Sequence, residues 1–271
     1  MNRFKNALLG CALLLALVSC KSALSLNSGA ADQQIDVDGS EVEWLNDLQP
    51  IAEENFAIGI LNDDENLYVS LVTADVRVRS KIMALGMTVW LDPSGGTGKS
   101  LGIRFPLGII DAGLPFDPFT MLEQPEFVEQ LFNESLTELE IVRDRDEDTK
   151  RWLRSEIPGL ELAASSKQGT LVYEMKIPLH NEELGYSLDA ASAQQIGIGL
   201  ETPRFKREEI ERLREQPSAS TQGGGYGQYG SGGSGFGGSQ TDVGGPIPTD
   251  RSLLEVTSPT KFWATFSLVA P

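Results

Sequence analysis

The 271-residue chain carries 39 acidic against 22 basic side chains, a formal net charge of −17, and 40% of its residues are hydrophobic. That acidic excess argues against nucleic acid and anionic lipid headgroups as partners, since both call for basic patches that displace counterions. A single histidine, His180, and two cysteines, Cys11 and Cys20, exclude zinc sites built on several imidazoles or thiolates and leave a Ser-His-Asp triad dependent on His180 alone.

The first predicted element is a leader. Arg3 and Lys5 precede an apolar run from Ala7 to Val18, the layout of a secretory signal peptide and too short for a membrane span of roughly 20 residues. Leu17-Val18-Ser19-Cys20 resembles the lipobox of bacterial lipoproteins, in which the cysteine is acylated and becomes residue one. Two or three acyl chains on Cys20 would make a durable anchor to a membrane that the chain does not cross. Cleavage after residue 19 removes Cys11, so the mature fold has no disulfide, and removes Arg3 and Lys5, taking the charge to about −19. Lys21, rather than Asp, follows the cysteine, which by resemblance to the enterobacterial sorting rule points to the outer membrane, at its periplasmic or its surface face. Residues 20–34, small and polar, are expected to be a flexible tether, and residues 35–271 a single domain.

Strand signals dominate that domain. Phe56–Leu61 and Leu67–Val72 flank the polar turn Asn62-Asp63-Asp64-Glu65-Asn66 and read as a hairpin. Further strands are expected at 87–91, 101–105, 136–142, 160–164, 171–177, 195–200 and 262–269. In Leu171–Ile177 the odd positions are apolar and the even ones mostly polar, as suits a sheet with one buried face. Short peripheral helices are expected at Glu126–Leu136 and Arg204–Gln216. The fold class that follows is all-β, an antiparallel, jelly-roll-like β-sandwich.

Residues 217–249 break the pattern. Gly223–Gln240 holds little beyond Gly, Ser, Tyr, Phe and Gln and has too few apolar side chains to offset its ordering entropy, so a disordered Gly-rich loop inserted in the domain is expected.

Candidate sites are few. Pro93-Ser94-Gly95-Gly96-Thr97-Gly98-Lys99-Ser100 nearly spells a phosphate-binding loop, but Pro93 stands where the first glycine is required. The segment after it is strand-like rather than helical, so no nucleotide is expected. Asp63 and Asp64, and the run Asp144–Asp148, are candidate calcium ligands; no other cofactor is implied. Of the tryptophans, Trp90 and Trp263 are expected in the core beside aliphatic neighbours. Trp152, within Lys150-Arg151-Trp152-Leu153-Arg154, is expected at the surface as a ligand platform.

Several stretches in order resemble the β-sandwich of carbohydrate-binding module family 9 and the wider DOMON-like group: Ile35-Asp36-Val37-Asp38-Gly39 leading to Glu43-Trp44, Ile60-Leu61-Asn62-Asp63 before Leu67-Tyr68-Val69, Gly86–Asp92, Gly102–Pro106 and Tyr173–Pro178. The Gly-rich insertion before the last strand resembles one found in exported bacteroidete relatives. The resemblance implies a non-catalytic binding domain with carbohydrate as ligand. Two other classes stay open: an assembly partner of another envelope protein, and a glycoside hydrolase using two carboxylates.

Overall fold

The computed structural model describes residues 24–114, 124–143, 149–188, 195–207 and 258–269. The chain opens with two short strands, β1 (Leu24–Ser25) and β2 (Gly29–Ala30), a 3-10 turn at Val42–Trp44, and β3 (Gln49–Ile51). The hairpin β4 (Phe56–Asn62) and β5 (Asn66–Thr73) follows, then helix α1 (Val76–Leu85), β6 (Thr88–Asp92) and β7 (Leu101–Arg104). Helix α2 (Pro125–Glu134) leads to β8 (Glu138–Val142) and β9 (Lys150–Leu153), then β10 (Glu161–Lys167) and β11 (Thr170–Pro178). The small pair β12 (His180–Asn181) and β13 (Tyr186–Ser187) precedes β14 (Gln195–Glu201) and β15 (Lys261–Ser267).

These strands form two main sheets. Sheet A runs β1-β15-β14-β6-β7-β8-β9, and sheet B runs β10-β11-β5-β4-β2, with β3 also on β4. All pairings are antiparallel except those of β1 and β2, which lie parallel to β15 and β4. The core fills the space between the sheets. Ile58, Ile60, Val69, Leu71, Tyr173 and Met175 from sheet B meet Val89, Leu91, Ile103, Leu139, Ile198 and Phe266 from sheet A in one cluster. Phe56 and Phe262 join the sheets edge to face, ring centroids 5.3 Å apart, a favoured geometry for buried aromatic pairs. The expected all-β sandwich is what forms, and the Asn62–Asn66 turn does close a hairpin.

Helix α2 starts and ends within two residues of expectation. Helix α1 was not expected, because Val76-Arg77-Val78-Arg79 alternates like a strand. Its start is fixed by Asp75, whose side chain accepts from the backbone N–H of Arg77 and Val78, an N-cap. Its stop is Gly86 at φ +79°, where a Cβ would come within 2.1 Å of the Pro106 carbonyl. The helix expected from Arg204 lies mostly outside the described residues, as do the Gly-rich insertion, Asp144–Asp148 and the leader with Cys20. No helix among the described residues is long and apolar enough to cross a membrane.

The expected tether needs correction. Leu24–Ala30 is part of the sandwich: β1 extends sheet A, β2 extends sheet B, and Leu26 between them is buried in the core. The Ser28 hydroxyl donates to the Ser267 carbonyl, and Asn62 exchanges hydrogen bonds with the backbone of Val269 at 2.8 and 3.0 Å. Small polar residues suggested a linker, but backbone pairing at two sheet edges needs no bulky side chain.

Candidate functional site

The two outer faces of the sandwich differ. Residues 35–48 lie across the outer face of sheet B, where Ile35, Trp44, Leu61 and Tyr68 make a second apolar cluster. Trp44 is fully buried, seated on Gly59, where a Cβ would come within 2.6 Å of the ring. The equally buried Glu174 carboxylate accepts from Trp44 Nε1 at 2.6 Å, Gly39 N at 2.6 Å and Asp38 N at 3.0 Å. Burial pushes this carboxyl above its ordinary value; the three hydrogen bonds pull the other way and fall short. The chain's own N-terminal segment therefore occupies that face.

Sheet A presents the other outer face. Strand registers place Trp263, Gly199, Trp90 and Gly102 in one row across β15, β14, β6 and β7. The flanking residues Phe262, Ala264, Val89, Leu91, Ile198 and Leu200 all point into the core, so both indoles are on the outer side. Trp263, half-buried, lies over Gly199, where a Cβ would approach its ring to 2.6 Å. Trp90 covers Gly102 in the same way and is 5% exposed. Two strand spacings, roughly 10 Å, separate the two positions.

The next row along the strands is charged: Lys261, Glu201, Thr88, Arg104, Glu140 and Arg151. Glu201 receives Lys99 at 2.5 Å and Lys261 at 2.7 Å, and Lys99 Nζ stands 4.9 Å from the Trp90 ring centroid. Burial raises the Glu201 carboxyl, and the two lysines outweigh that, holding it below its ordinary value. Arg104 bridges Glu140, at 2.9 Å, and Asp111, while Arg151 Nε donates to Glu140 at 2.8 Å. Trp90 Nε1 and Arg104 Nε, both buried, have no acceptor among the described residues. At the β8–β9 edge the charged row opens into a cleft of about 460 Å³ whose lining includes Leu107, Asp111, Thr137, Glu138 and Arg151, within the size range of small-ligand sites.

The loop that resembles a phosphate cradle folds against this face, and an internal anion fills it. Asp92, 3% exposed, accepts from Ser94 N at 3.0 Å, Ser94 Oγ at 2.7 Å and Gly98 N at 2.6 Å. Backbone N–H groups in such a nest suit an oxyanion, and the carboxylate takes that position. Burial alone would raise its carboxyl; the donors, Gly96 N–H among them, hold it below its ordinary value. Lys99 is tied to Glu201 and stands over the Trp90 ring.

The other expected residues fall elsewhere. Trp152 is half-buried, registers with Leu139 on the core side of edge strand β9, and carries Lys150 Nζ 3.5 Å from its ring centroid. The expectation that it is an exposed platform is corrected, because alternation in β9 turns its charged neighbour Arg151 outward. Trp90 is buried as expected but outside the inter-sheet core, and Trp263 is not a core residue. Asp63 is occupied in its turn: Oδ1 accepts from Glu65 N and Asn66 N, and Oδ2 from Tyr68 OH. Asp64 lines a nearby depression, and no group of three or more carboxylate, histidine or cysteine side chains among the described residues is placed to hold a metal ion. His180 is exposed on β12 near Glu182. The outward row Lys261, Trp263, Thr265, Ser267 was readable from alternation along β15, and the aliphatic neighbours of Trp263 masked it.

No family model and no curated protein matches the chain. Among solved structures it is similar to a carbohydrate binding module family 9 (CBM9) from Caldicellulosiruptor kristjanssonii in complex with cellotriose, with TM-score 0.34 and 10% identity over 68% of this chain and 79% of that one. It is also similar to the same module in complex with glucose, with TM-score 0.33 and 10% identity over 68% and 81%. The sandwich assignment rests on the strand pairing.

Proposed function

We propose that this chain is a lipid-anchored protein of the bacterial outer membrane whose β-sandwich binds carbohydrate without catalysing a reaction. The observation that carries the reading is the Trp263 indole laid flat on Gly199 beside the Lys261–Glu201–Lys99 cluster, on the sheet face that residues 35–48 leave alone. A ring seated on a glycine turns its opposite face away from the sheet. Sugar rings bury their CH groups on such a surface, and neighbouring charged groups take up the hydroxyls through charge-assisted hydrogen bonds. Two carboxylates of the adjoining cleft are held by arginine: Asp111 by Arg104, and Glu138 within 3.8 Å of Arg151. Fixed in this way, they serve as hydroxyl acceptors. Anchoring follows from the lipobox ending at Cys20.

The test is a glycan array probed with the mature chain and with Trp263→Ala. Binding of a glycan class by the parent and at least tenfold weaker binding by the variant is expected; equal binding by both would refute the assignment of this face. Cys20→Ser should accumulate as unprocessed precursor without acyl label, and normal acylation in that variant would refute the anchor.

A further inference from the structure

The register of the sheets determines which end of the sandwich faces the anchor. Helix α1 connects the end of β5 to the start of β6, so these termini lie at one end. The start of β15, the end of β14 and the end of β7 join them through the row Lys261, Glu201, Thr88, Arg104. Strand β1 runs parallel to β15 with Leu24 opposite Ala264, so the chain enters the sandwich from that same end. Only Lys21, Ser22 and Ala23 separate Leu24 from Cys20. Four residue steps reach about 14 Å at full extension.

Exposed apolar side chains gather at this end. The described residues include six exposed large hydrophobics, and Val76, Phe127 and Leu153, each between 44% and 49% exposed, are the three at this end, while Leu24 sits three rows inward, level with Ala264, Ile198 and Leu91. Val76 opens α1. Phe127 lies in the first turn of α2, whose Glu129 accepts from Gly169 in the β10–β11 turn at 3.3 Å and pairs with Arg79 of α1 at 3.1 Å. Leu153 pairs with Glu138, two steps beyond the Glu140–Arg151 pair in that direction. The other two, Val42 and Leu45, belong to the segment covering sheet B. Exposed charges on the elements at this end are of both signs, Arg77, Lys167 and Lys206 with Glu53 and Glu126, which suits a zwitterionic surface.

We propose that this end, through Val76, Phe127 and Leu153, docks on the headgroup layer of the bilayer that holds the Cys20 lipid, so that the domain is seated on the membrane. The inference rests on the lipid-anchor reading above. Headgroup layers are only several ångströms deep, and a reach of about 14 Å keeps the sandwich end against them. Amphipathic burial of a few apolar side chains then adds to the acyl anchor. The opposite end, with the Asn62–Asn66 turn and the Pro93–Ser100 loop, points away.

Hydrogen exchange on the full chain, expressed with its leader and reconstituted in phosphatidylethanolamine-rich vesicles, tests this. Intact mass first reports the acyl chains; their absence refutes the anchor reading, and the docking test then proceeds with a maleimide lipid coupled to Cys20. Amides of Val76–Val78 and Glu126–Val128 should exchange at least tenfold more slowly on vesicles than in free chain, with less than twofold change at Asn62–Asn66 and Ser94–Gly98. Equal slowing at both ends, or slowing only at the far end, overturns the docking. In Val76→Asp/Phe127→Asp the slowing should disappear while acylation and thermal stability hold; slowing that persists would overturn the apolar contact.

Discussion

Replacing Asp92 removes the anion around which the Pro93–Ser100 loop is built. Its carboxylate takes hydrogen bonds from Ser94 N, Ser94 Oγ and Gly98 N, and a hydrogen bond to a charged group contributes about 1.5–3 kcal/mol net, towards the low end or below where the donors are exposed. Ser94 and Gly98 are exposed, so water recovers part of the loss, and Asp92→Ala should destabilise by about 2–4 kcal/mol. In a chain of this size that lowers Tm by roughly 5–12 °C. Asp92→Asn keeps the acceptor facing Ser94 but turns an amide donor toward Gly98 N–H, and should cost about 1–2 kcal/mol. The pH dependence has a definite sign. The folded carboxyl sits below its ordinary value, so its stabilisation is present above the unfolded value near pH 4 and is lost as pH falls through the folded one. Urea unfolding at pH 7 and at pH 3 should show parent and Asp92→Asn converging at the acid end. Because the nest is already filled, magnesium ATP should leave the parent Tm unchanged. A stable Asp92→Ala, or ATP stabilisation of the parent that vanishes in Lys99→Ala, would refute the internal-anion account.

Three further outcomes follow from the same contacts. Gly199→Ala brings a methyl within van der Waals conflict of Trp263 and should cost about 1–3 kcal/mol while lowering glycan affinity at least tenfold in titration calorimetry; unaltered affinity would detach Trp263 from the site. Lys99→Ala breaks a one-third-exposed ion pair and a contact over Trp90, for a loss of about 1 kcal/mol or less by thermal melting, and a large loss would mean that Lys99 is holding the loop. Glu174→Ala strands the Trp44 N–H and two backbone N–H groups and should cost about 3 kcal/mol or more. Since the folded Glu174 carboxyl lies above its ordinary value, its effect on stability runs opposite to that of Asp92: its contribution is most favourable below the unfolded value and declines as pH rises through the folded one. A difference between parent and Glu174→Gln that grows on acidification would fit, and one that shrinks would not.

The sheets were legible where alternation was clean. Leu171–Ile177 displays its buried and outer faces directly, and the polar run 62–66 could only be a turn between apolar strands. What alternation could not convey was the difference between a residue buried between the sheets and one buried on an outer face. Trp90 and Trp44 are both nearly inaccessible, yet neither belongs to the inter-sheet cluster. Trp44 is held by Gly59 and Glu174 and Trp90 by Lys99 and Gly102, contacts between elements of which local pattern carries no record. Helix α1 was missed because Val76-Arg77-Val78-Arg79 copies a strand period; the cap at Asp75 was the stronger signal. The tether failed as an expectation because edge pairing uses backbone groups, which composition does not report.

The glycines link these partial readings to the site. A strand residue without a side chain weakens packing and often marks a close approach by another group, and β14 has two, Gly197 and Gly199, alternating with the core residues Ile196, Ile198 and Leu200. They therefore open one face and leave the other fully packed. Over Gly199 lies the Trp263 ring, and at Gly197 a Cβ would come within 2.0 Å of the Gly96 carbonyl, so the Asp92 loop rests on the same bared strip. Gly102 in β7 extends the strip beneath Trp90. The sequence Gln195-Ile196-Gly197-Ile198-Gly199-Leu200 thus specifies both a wall of the core and a floor for two indoles and a loop. Filling that floor with side chains would leave the two-sheet core intact and remove the site, which is why Gly199→Ala distinguishes a binding face from a structural one.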